Sequence, residues 1–301
     1  MTISVVVPTL NGREELAGCL DALAEQVPDA ETIVVNGPSA DGTTGMVRDR
    51  DDVSVLVEIA DRAVTVARNA GLDRATGDIV AFVNQGLSVE DGWADAVREG
   101  LSGAAEAVTG PTHERLRAGM TTESKEARTI AGREVTYFNP GNVAFDADVL
   151  ESLDGFDEYL SVGSARDFAH RMAANEHDLS WSSEMCVSRE FEADGGIRET
   201  DWTPKYRSLT YRLVKNYNLR PTVVRRIAGH AAVDAKDALL DVVRGDATPS
   251  QWLGTGQDVL SGVGSGVADG VRARVSDRSP RRNPNGRSAR ADRAVTVYDW
   301  R

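Results

Sequence analysis

The chain has 301 residues and a formal charge of −13, from 34 basic and 47 acidic side chains, and 41% of its residues are hydrophobic. That globular composition excludes a wholly disordered, collagen-like or coiled-coil chain, and the length fits one large domain plus an extension. The acidic balance excludes a protein that coats nucleic acid over its whole surface. Only Lys125, Lys205, Lys215 and Lys236 are lysines, so 30 of the cations are arginines. Few lysines and many carboxylates suit a cytoplasm of multimolar salt, where charge repulsion is screened within a few ångströms. A GC-rich genome that favours Arg and Ala codons is the alternative. Cys19 and Cys186 have neither disulfide-framework nor metal-ligand spacing and read as small core residues in a reducing compartment. The N-terminus lacks the charged and long apolar regions of a signal peptide, and no apolar run reaches the 18 or so residues that span a bilayer.

In chain order, Ile3 to Val7 is apolar, β-branched and bounded by Pro8, which predicts a strand. Asn11 reads as an N-cap for a helix over 13–25, with Leu16, Leu20 and Leu23 on one face. The pattern repeats with strands over 32–35, 53–59 and 78–83, and helices over 43–49, 64–74 and 89–101. Strands alternating with helices predict a largely parallel sheet covered on both faces, with ligands in the crevice beyond the strands' carboxyl ends. The loops to read are therefore 8–12, 36–43, 60–62 and 84–86. All are short and polar, and the first two hold small residues that let a backbone approach a nucleotide. Neither Gly-x-Gly-x-x-Gly nor Gly-x-x-x-x-Gly-Lys-Ser/Thr follows the first strand, which argues against a dinucleotide dehydrogenase or a P-loop NTPase.

The series Val-Val-Val-Pro-Thr-Leu-Asn (5–11), Ile-Val-Val-Asn-Gly-Pro-Ser-Ala-Asp-Gly-Thr (33–43), Ala-Arg-Asn-Ala-Gly-Leu (67–72) and Ala-Thr-Gly-Asp-Ile-Val-Ala-Phe-Val-Asn (75–84) resembles the family 2 glycosyltransferases of GT-A fold. Pro-Gly-Asn-Val-Ala-Phe (140–145) and Gly-Phe-Asp-Glu (155–158) continue the resemblance, which covers about residues 3–190. It implies an α/β fold with a mixed, mostly parallel sheet and flanking helices, and a nucleotide-sugar donor. It also implies roles. Thr9 and Asn11 match the first nucleotide-contacting loop, and Asn36 and Gly37 stand where the family has an Asp pair for base and ribose. Asp41 matches either a donor contact or a cap on the next helix. Arg68, of the Arg68-Asn69 pair, would face the diphosphate, its alternative being a solvated helix arginine, and Asn142 would lie on the acceptor side.

Two departures stand out. The family's Asp-x-Asp, which holds Mg²⁺ or Mn²⁺ on the diphosphate, is Asn84-Gln85-Gly86 here, and neutral amides are poor ligands for hard cations. Either Asn84 and substrate oxygens hold a metal, or arginines replace it. At the family's Glu-Asp-x-Asp segment this chain has Ser164-Ala165-Arg166-Asp167, with Ala165 at the base position. Asp167, and His170 three residues on, are then the candidate catalytic pair, against a helix-start Asp beside a partly buried His. His113, His177 and His230 have no ligand-like spacing to one another or to the cysteines, which argues against a zinc site. Residues 109–137 are poor in apolar side chains and read as a loop over the donor pocket.

Residues 201–230 carry seven cations against one acid, interleaved with Tyr206, Tyr211 and Tyr217. That pattern fits a helix lying on an anionic membrane or receiving a polyprenyl phosphate, or else a solvated helix pairing with the acidic body. Residues 261–270, rich in Gly, Ser and Val, read as weakly ordered, and the last 31 residues, with nine arginines against three aspartates, as a basic tail. The expected organisation is a GT-A domain over 1–200, an amphipathic helical extension over 201–260 and a flexible basic tail over 261–301. The expected function is transfer of a sugar, UDP-linked before GDP-linked and including hexuronic acids, to a dolichyl-phosphate-linked glycan at the cytoplasmic membrane face. The resemblance is to haloarchaeal enzymes of S-layer N-glycosylation, with no nucleic-acid partner. The alternative is an inactive GT-A subunit for binding or assembly. A nucleotidyltransferase is disfavoured because its activating Gly-rich loop is absent.

Overall fold

A computed structural model describes residues 1–114, 126–189, 201–245 and 248–301. The N-terminal half runs β1 (Ile3–Thr9), α1 (Arg13–Gln26), β2 (Glu31–Asn36), α2 (Thr43–Arg48), β3 (Val55–Ile59), α3 (Val64–Leu72), β4 (Ile79–Val83), β5 (Leu87–Val89), α4 (Trp93–Gly100), β6 (Ala107–Thr109) and β7 (Thr112–Glu114). The second half runs β8 (Glu126–Ile130), β9 (Arg133–Tyr137), β10 (Asn142–Asp146), α5 (Ala147–Ser152), α6 (Ser164–Ala174), β11 (Leu179–Trp181), β12 (Val187–Arg189), α7 (Trp202–Tyr217), α8 (Pro221–Arg244), α9 (Pro249–Ser276) and β13 (Ala294–Asp299).

The main sheet has the order β11-β6-β10-β4-β1-β2-β3-β13. Its centre is parallel, as the alternation of strands and helices predicts: β1 pairs with β2 and β4, and β2 with β3. β10 enters antiparallel between β4 and β6, which sets Asn142 opposite Val83 and brings Pro140 to the carboxyl end of β4. Central strands are apolar on both faces because both are covered. Val6, Ile33, Val35, Val80 and Phe82 pack toward α3 and α6, while Val5, Val7, Val34, Ala81 and Val83 pack toward α1 and α4. Each buried Val, Ile or Phe side chain among these contributes about 1.5–3 kcal/mol.

The expected boundaries agree with the N-terminal elements to within a few residues, with two corrections. Helix α1 is preceded by Gly12 rather than capped by Asn11, and its first amide, on Arg13, donates to Asp41 at 3.0 Å. Within 109–137, the expected loop contains β7, β8 and β9, and its residues 115–125 lie outside the described ones.

The C-terminal third is corrected more deeply. Tyr206, Tyr211 and Tyr217 are buried core residues rather than a membrane-facing stripe, and Lys215 is fully buried. Residues 261–276 are helical: Gly262, Gly266 and Gly270 let α9 lie against α7, and a Cβ on Gly266 would sit 2.6 Å from the Arg207 carbonyl oxygen. The expected flexible tail folds back onto the body. Arg293 pairs with Asp73 at 2.9 Å and with Glu158 at 2.5 Å, Arg287 pairs with Asp73, and β13 pairs antiparallel with β3. Acidic groups on the body neutralise the arginines that a charge count reads as a free basic run. Among the described residues no helix is long and apolar enough to cross a membrane.

Candidate active site

The loops after β1, β2 and β4 meet at the carboxyl edge of the sheet. Thr9, the last residue of β1, donates through Oγ1 to Gln85 Oε1 at 2.6 Å, and the Leu10 amide donates to the same oxygen at 3.0 Å. This approach requires Gly12, where a Cβ would collide with the Gln85 amide. Asn11 takes a left-handed backbone, φ 50°, and its Oδ1 accepts from the Ala40 amide at 2.9 Å, tying the first loop to the second. Buried Asn36 accepts from Ser39 Oγ at 2.6 Å and donates to Thr44 Oγ1 at 3.0 Å. The Gly37 amide donates to the Thr9 carbonyl at 2.9 Å. Asp41 receives the Thr43 amide at 3.2 Å as well as that of Arg13, so it serves the starts of α2 and α1 together.

Arg68 projects from α3 into a cleft of about 800 Å³. Its residue exposure is only 4%, it donates to the Pro140 carbonyl at 2.7 Å and more weakly to Asn84 Oδ1 at 3.4 Å, and its Nε has no partner. Among the described residues it has no carboxylate partner. Burial lowers its pKa to about 10, which leaves it charged at neutral pH. The opposite wall carries Ala165, Arg166, His170, Arg212, Arg226 and His230. Arg166 is paired with Glu126 at 3.1 Å, whereas Arg212 has no carboxylate partner among the described residues and an unpartnered Nε. Burial, and then Arg212, lower the His170 pKa to about 3, so its imidazole is neutral; Nδ1 lies 2.9 Å from the Tyr217 hydroxyl. None of Thr9, Asn11, Asn36, Gly37 or Asn84 lines this cleft, which Arg68 and Pro140 set beside the end of β4. A cleft that holds Arg68 and Arg212, neither with a carboxylate partner among the described residues, is chemically suited to a phosphorylated ligand.

Residues 4–120 match the family model described as glycosyl transferase family 2. That segment belongs to glycosyl transferase family 2. The glycosyltransferase AglE of Haloferax volcanii is 25% identical over 199 residues, 61% of this chain and 65% of that protein. A pre-mycofactocin glycosyltransferase of Mycobacterium tuberculosis is 23% identical over 56% of this chain and 38% of its own length. The aligned region is thus less than two thirds of either relative. Among solved structures, residues 1–349 of Staphylococcus aureus TarS with UDP-GlcNAc superpose with a TM-score of 0.64 at 16% identity, covering 92% of this chain and 91% of that one. A Pyrobaculum calidifontis mannosyltransferase with GDP-Man and Mn²⁺ gives 0.57 at 18%, covering 92% and 88%. The fold is that of the GT-A glycosyltransferases.

Within this GT-A domain, Thr9, Asn11, Asn36 and Gly37 form one bonded network, which Gln85 joins to the end of β4, where Asn84 meets Arg68 of α3. Two expectations are corrected and a third, the choice between a metal and arginines, is narrowed. Asn142 is fully buried and satisfied by Trp93, Pro111 and Met185, so it presents nothing to an acceptor. Asp167 is also fully buried, and Arg171, Lys215 and Asn216 occupy its oxygens at 2.9, 2.8 and 2.8 Å. Burial would raise its pKa, but Lys215 and Arg171 outweigh this and hold it at about 2, far too low for a base that must take a hydroxyl proton. It does not pair with His170. At the metal position, Gln85 Oε1 is filled by Thr9 and Leu10 and Asn84 Oδ1 faces Arg68, a donor set that does not fit a hard divalent cation. Sequence reasoning missed Arg212, Arg226 and His230 as cleft residues. Their only signal is the cationic run over 201–230, which the sequence reads as facing an anionic membrane, receiving a polyprenyl phosphate or pairing with the acidic body.

Proposed function

We propose that the protein is a glycosyltransferase whose donor is a nucleotide sugar, UDP-linked before GDP-linked, and whose diphosphate is received by Arg68. The buried guanidinium of Arg68, which has no carboxylate partner among the described residues and lies beside the end of β4, carries this reading. When the glycosidic bond forms, the leaving nucleoside diphosphate gains negative charge, and a preorganised guanidinium in a water-poor cleft stabilises that charge. Arg68 thus does part of what an Asp-x-Asp metal does elsewhere. His170, with a pKa of about 3 and Nδ1 against the Tyr217 hydroxyl, is excluded as the base on the same ground as Asp167, and the acceptor hydroxyl's proton passes to Glu126 or His230, which line the cleft.

The acceptor in this reading is a polyprenyl- or dolichyl-phosphate-linked glycan of protein N-glycosylation, as for S-layer proteins, and the sugar includes hexuronic acids. Support comes from the likeness to AglE and from the cationic acceptor wall of Arg212 and Arg226, which suits a phosphate or a carboxylate sugar. Exposed Val224, Val233 and Val243, with Arg220 and Arg225 on or beside α8, would seat the enzyme peripherally on the cytoplasmic membrane face. The acidic, lysine-poor composition supports a salt-rich cytoplasm in this reading. The second reading, an inactive binding or assembly subunit, is favoured by the filled Gln85 amide and the inaccessible Asp167.

Calorimetric binding of UDP- and GDP-sugars, followed by transfer to lipid-linked acceptors from extracted membranes, separates these readings. Binding with transfer supports the enzyme, binding without transfer supports the subunit, and no nucleotide-sugar binding overturns both. Comparing Glu126→Gln with His230→Gln in transfer identifies the base, whose loss lowers the rate by about 10²- to 10⁴-fold while donor binding persists.

A further inference from the structure

A second cluster of reactive side chains lies outside the cleft, on the small sheet of β5, β12 and β7. Glu90 follows β5, His113 sits in β7 and Cys186 precedes β12, so three residues far apart in sequence converge where these strands pair. Their ligand-capable atoms all lie within 4.8 Å of one another. The Cys186 thiol donates to the Ser183 carbonyl at 2.8 Å, and its Sγ stands 3.8 Å from His113 Nε2. Two ligands on one tetrahedral zinc, at ~2.3 Å for sulfur and ~2.0 Å for nitrogen, stand roughly 3.5 Å apart, close to this separation. The other ring nitrogen, Nδ1, lies 3.0 and 3.1 Å from the two Glu90 oxygens. A carboxylate on the far nitrogen fixes the imidazole so that Nε2 faces the ligand, the recurrent support of metal-binding histidines. Asp91 and Glu184 line the same cavity of about 410 Å³ and add oxygen donors.

We propose that Cys186 and His113 bind one divalent transition metal of the zinc class, with Glu90 orienting the imidazole. A thiolate and an imidazole select such a metal over Mg²⁺ or Ca²⁺, which need oxygen ligands. Binding forms the metal–sulfur and metal–nitrogen bonds and releases the Cys186 thiol proton to solvent, without redox change. None of these residues lines the cleft of Arg68, so the site stands apart from the glycosyltransferase reading and from any metal on the donor. The sequence spacing that argued against zinc is overcome by the pairing of β7 with β12, which sets His113 opposite Ser188 and so brings Cys186 within reach of its ring.

Titration of the reduced full-length chain with Co²⁺, followed by displacement with Zn²⁺, tests the site. One Co²⁺ per chain with a thiolate-to-metal charge-transfer band is expected. The band disappears in Cys186→Ser, and Glu90→Gln weakens binding by about 10- to 100-fold while the metal-free melting curve stays unchanged. If Cys186→Ser does not fold, loss of tight binding in folded His113→Gln carries the same test. No band in the wild type, a band that survives Cys186→Ser, or unaltered affinity in both His113→Gln and Glu90→Gln overturns the proposal.

Discussion

Two parts of this molecule bury cations, and they treat them in opposite ways. Between α6 and α7, Arg171 and Lys215 are fully buried but saturated: Lys215 reaches Asp157 at 2.6 Å and Asp167 at 2.8 Å, and Arg171 also donates to the Leu153 and Gly155 carbonyls. On the cleft wall Arg68 is buried nearly as deeply but keeps its Nε unpartnered and faces no carboxylate among the described residues. The first arrangement locks helices together and leaves no valence for a ligand. The second keeps a charge poorly solvated until something anionic arrives. Burial of a charged group alone therefore does not mark a site; its unfilled bonding capacity does.

The largest effect that would break this contrast lies in the saturated cluster. Lys215→Met leaves the buried Asp157 and Asp167 carboxylates without the cation they share, and a loss of about 3–5 kcal/mol in urea unfolding is expected. A change below about 1 kcal/mol would mean that the cluster is not structural. Gly266→Leu probes the packing that holds α7 in place. The added side chain meets the Arg207 carbonyl and the Thr210 side chain, so a cost of about 1–3 kcal/mol is expected, read from the shift in thermal midpoint.

Arg68→Ala should behave in the reverse way from Lys215→Met. Nucleotide-sugar binding weakens at least tenfold, about 1.4 kcal/mol, while unfolding stability changes little. Equal loss of both would place Arg68 in the architecture instead. The last measurement sharpens the boundary between the regions, because His170 touches both. Its folded pKa of about 3 lies below the unfolded value of about 6.5. Its contribution to stability is thus complete above pH 6.5 and is lost as pH falls toward 3, with a slope of at most about 1.4 kcal/mol per pH unit. His170→Phe should flatten that part of the profile, and an unchanged slope would assign the loss to other groups. Asp167 acts at lower pH: its stabilisation is complete above about 3.9 and fades as pH falls through about 2.

The N-terminal sheet was legible because its strands are uniformly apolar and its loops polar, and because helix periods separate them. The donor loops were legible for the same reason: Thr9, Asn36 and Asn84 stand at the ends of strands that hydropathy alone locates. Asp167 and Asn142 were misread because a motif position fixes a place in the chain but not what packs upon it. Lys215, which decides the state of Asp167, is 48 residues away on another helix. α9 was misread because glycine disfavours an isolated helix, and only contact with α7 makes those glycines favourable. β13 was hidden by the arginines before it, whose acidic partners Asp73 and Glu158 are more than 130 residues distant.

The pairing of β13 with β3 also orders events in time. Ile59 is separated from its partner Ala294 by 235 positions, so the sheet's last ladder closes only after most of the chain has been synthesised. Until then the outer edge of β3, flanked by the apolar Val55, Leu56 and Val57, presents unpaired backbone to any neighbouring chain. The nascent protein therefore passes through an interval in which its sheet is nearly assembled but open on one side.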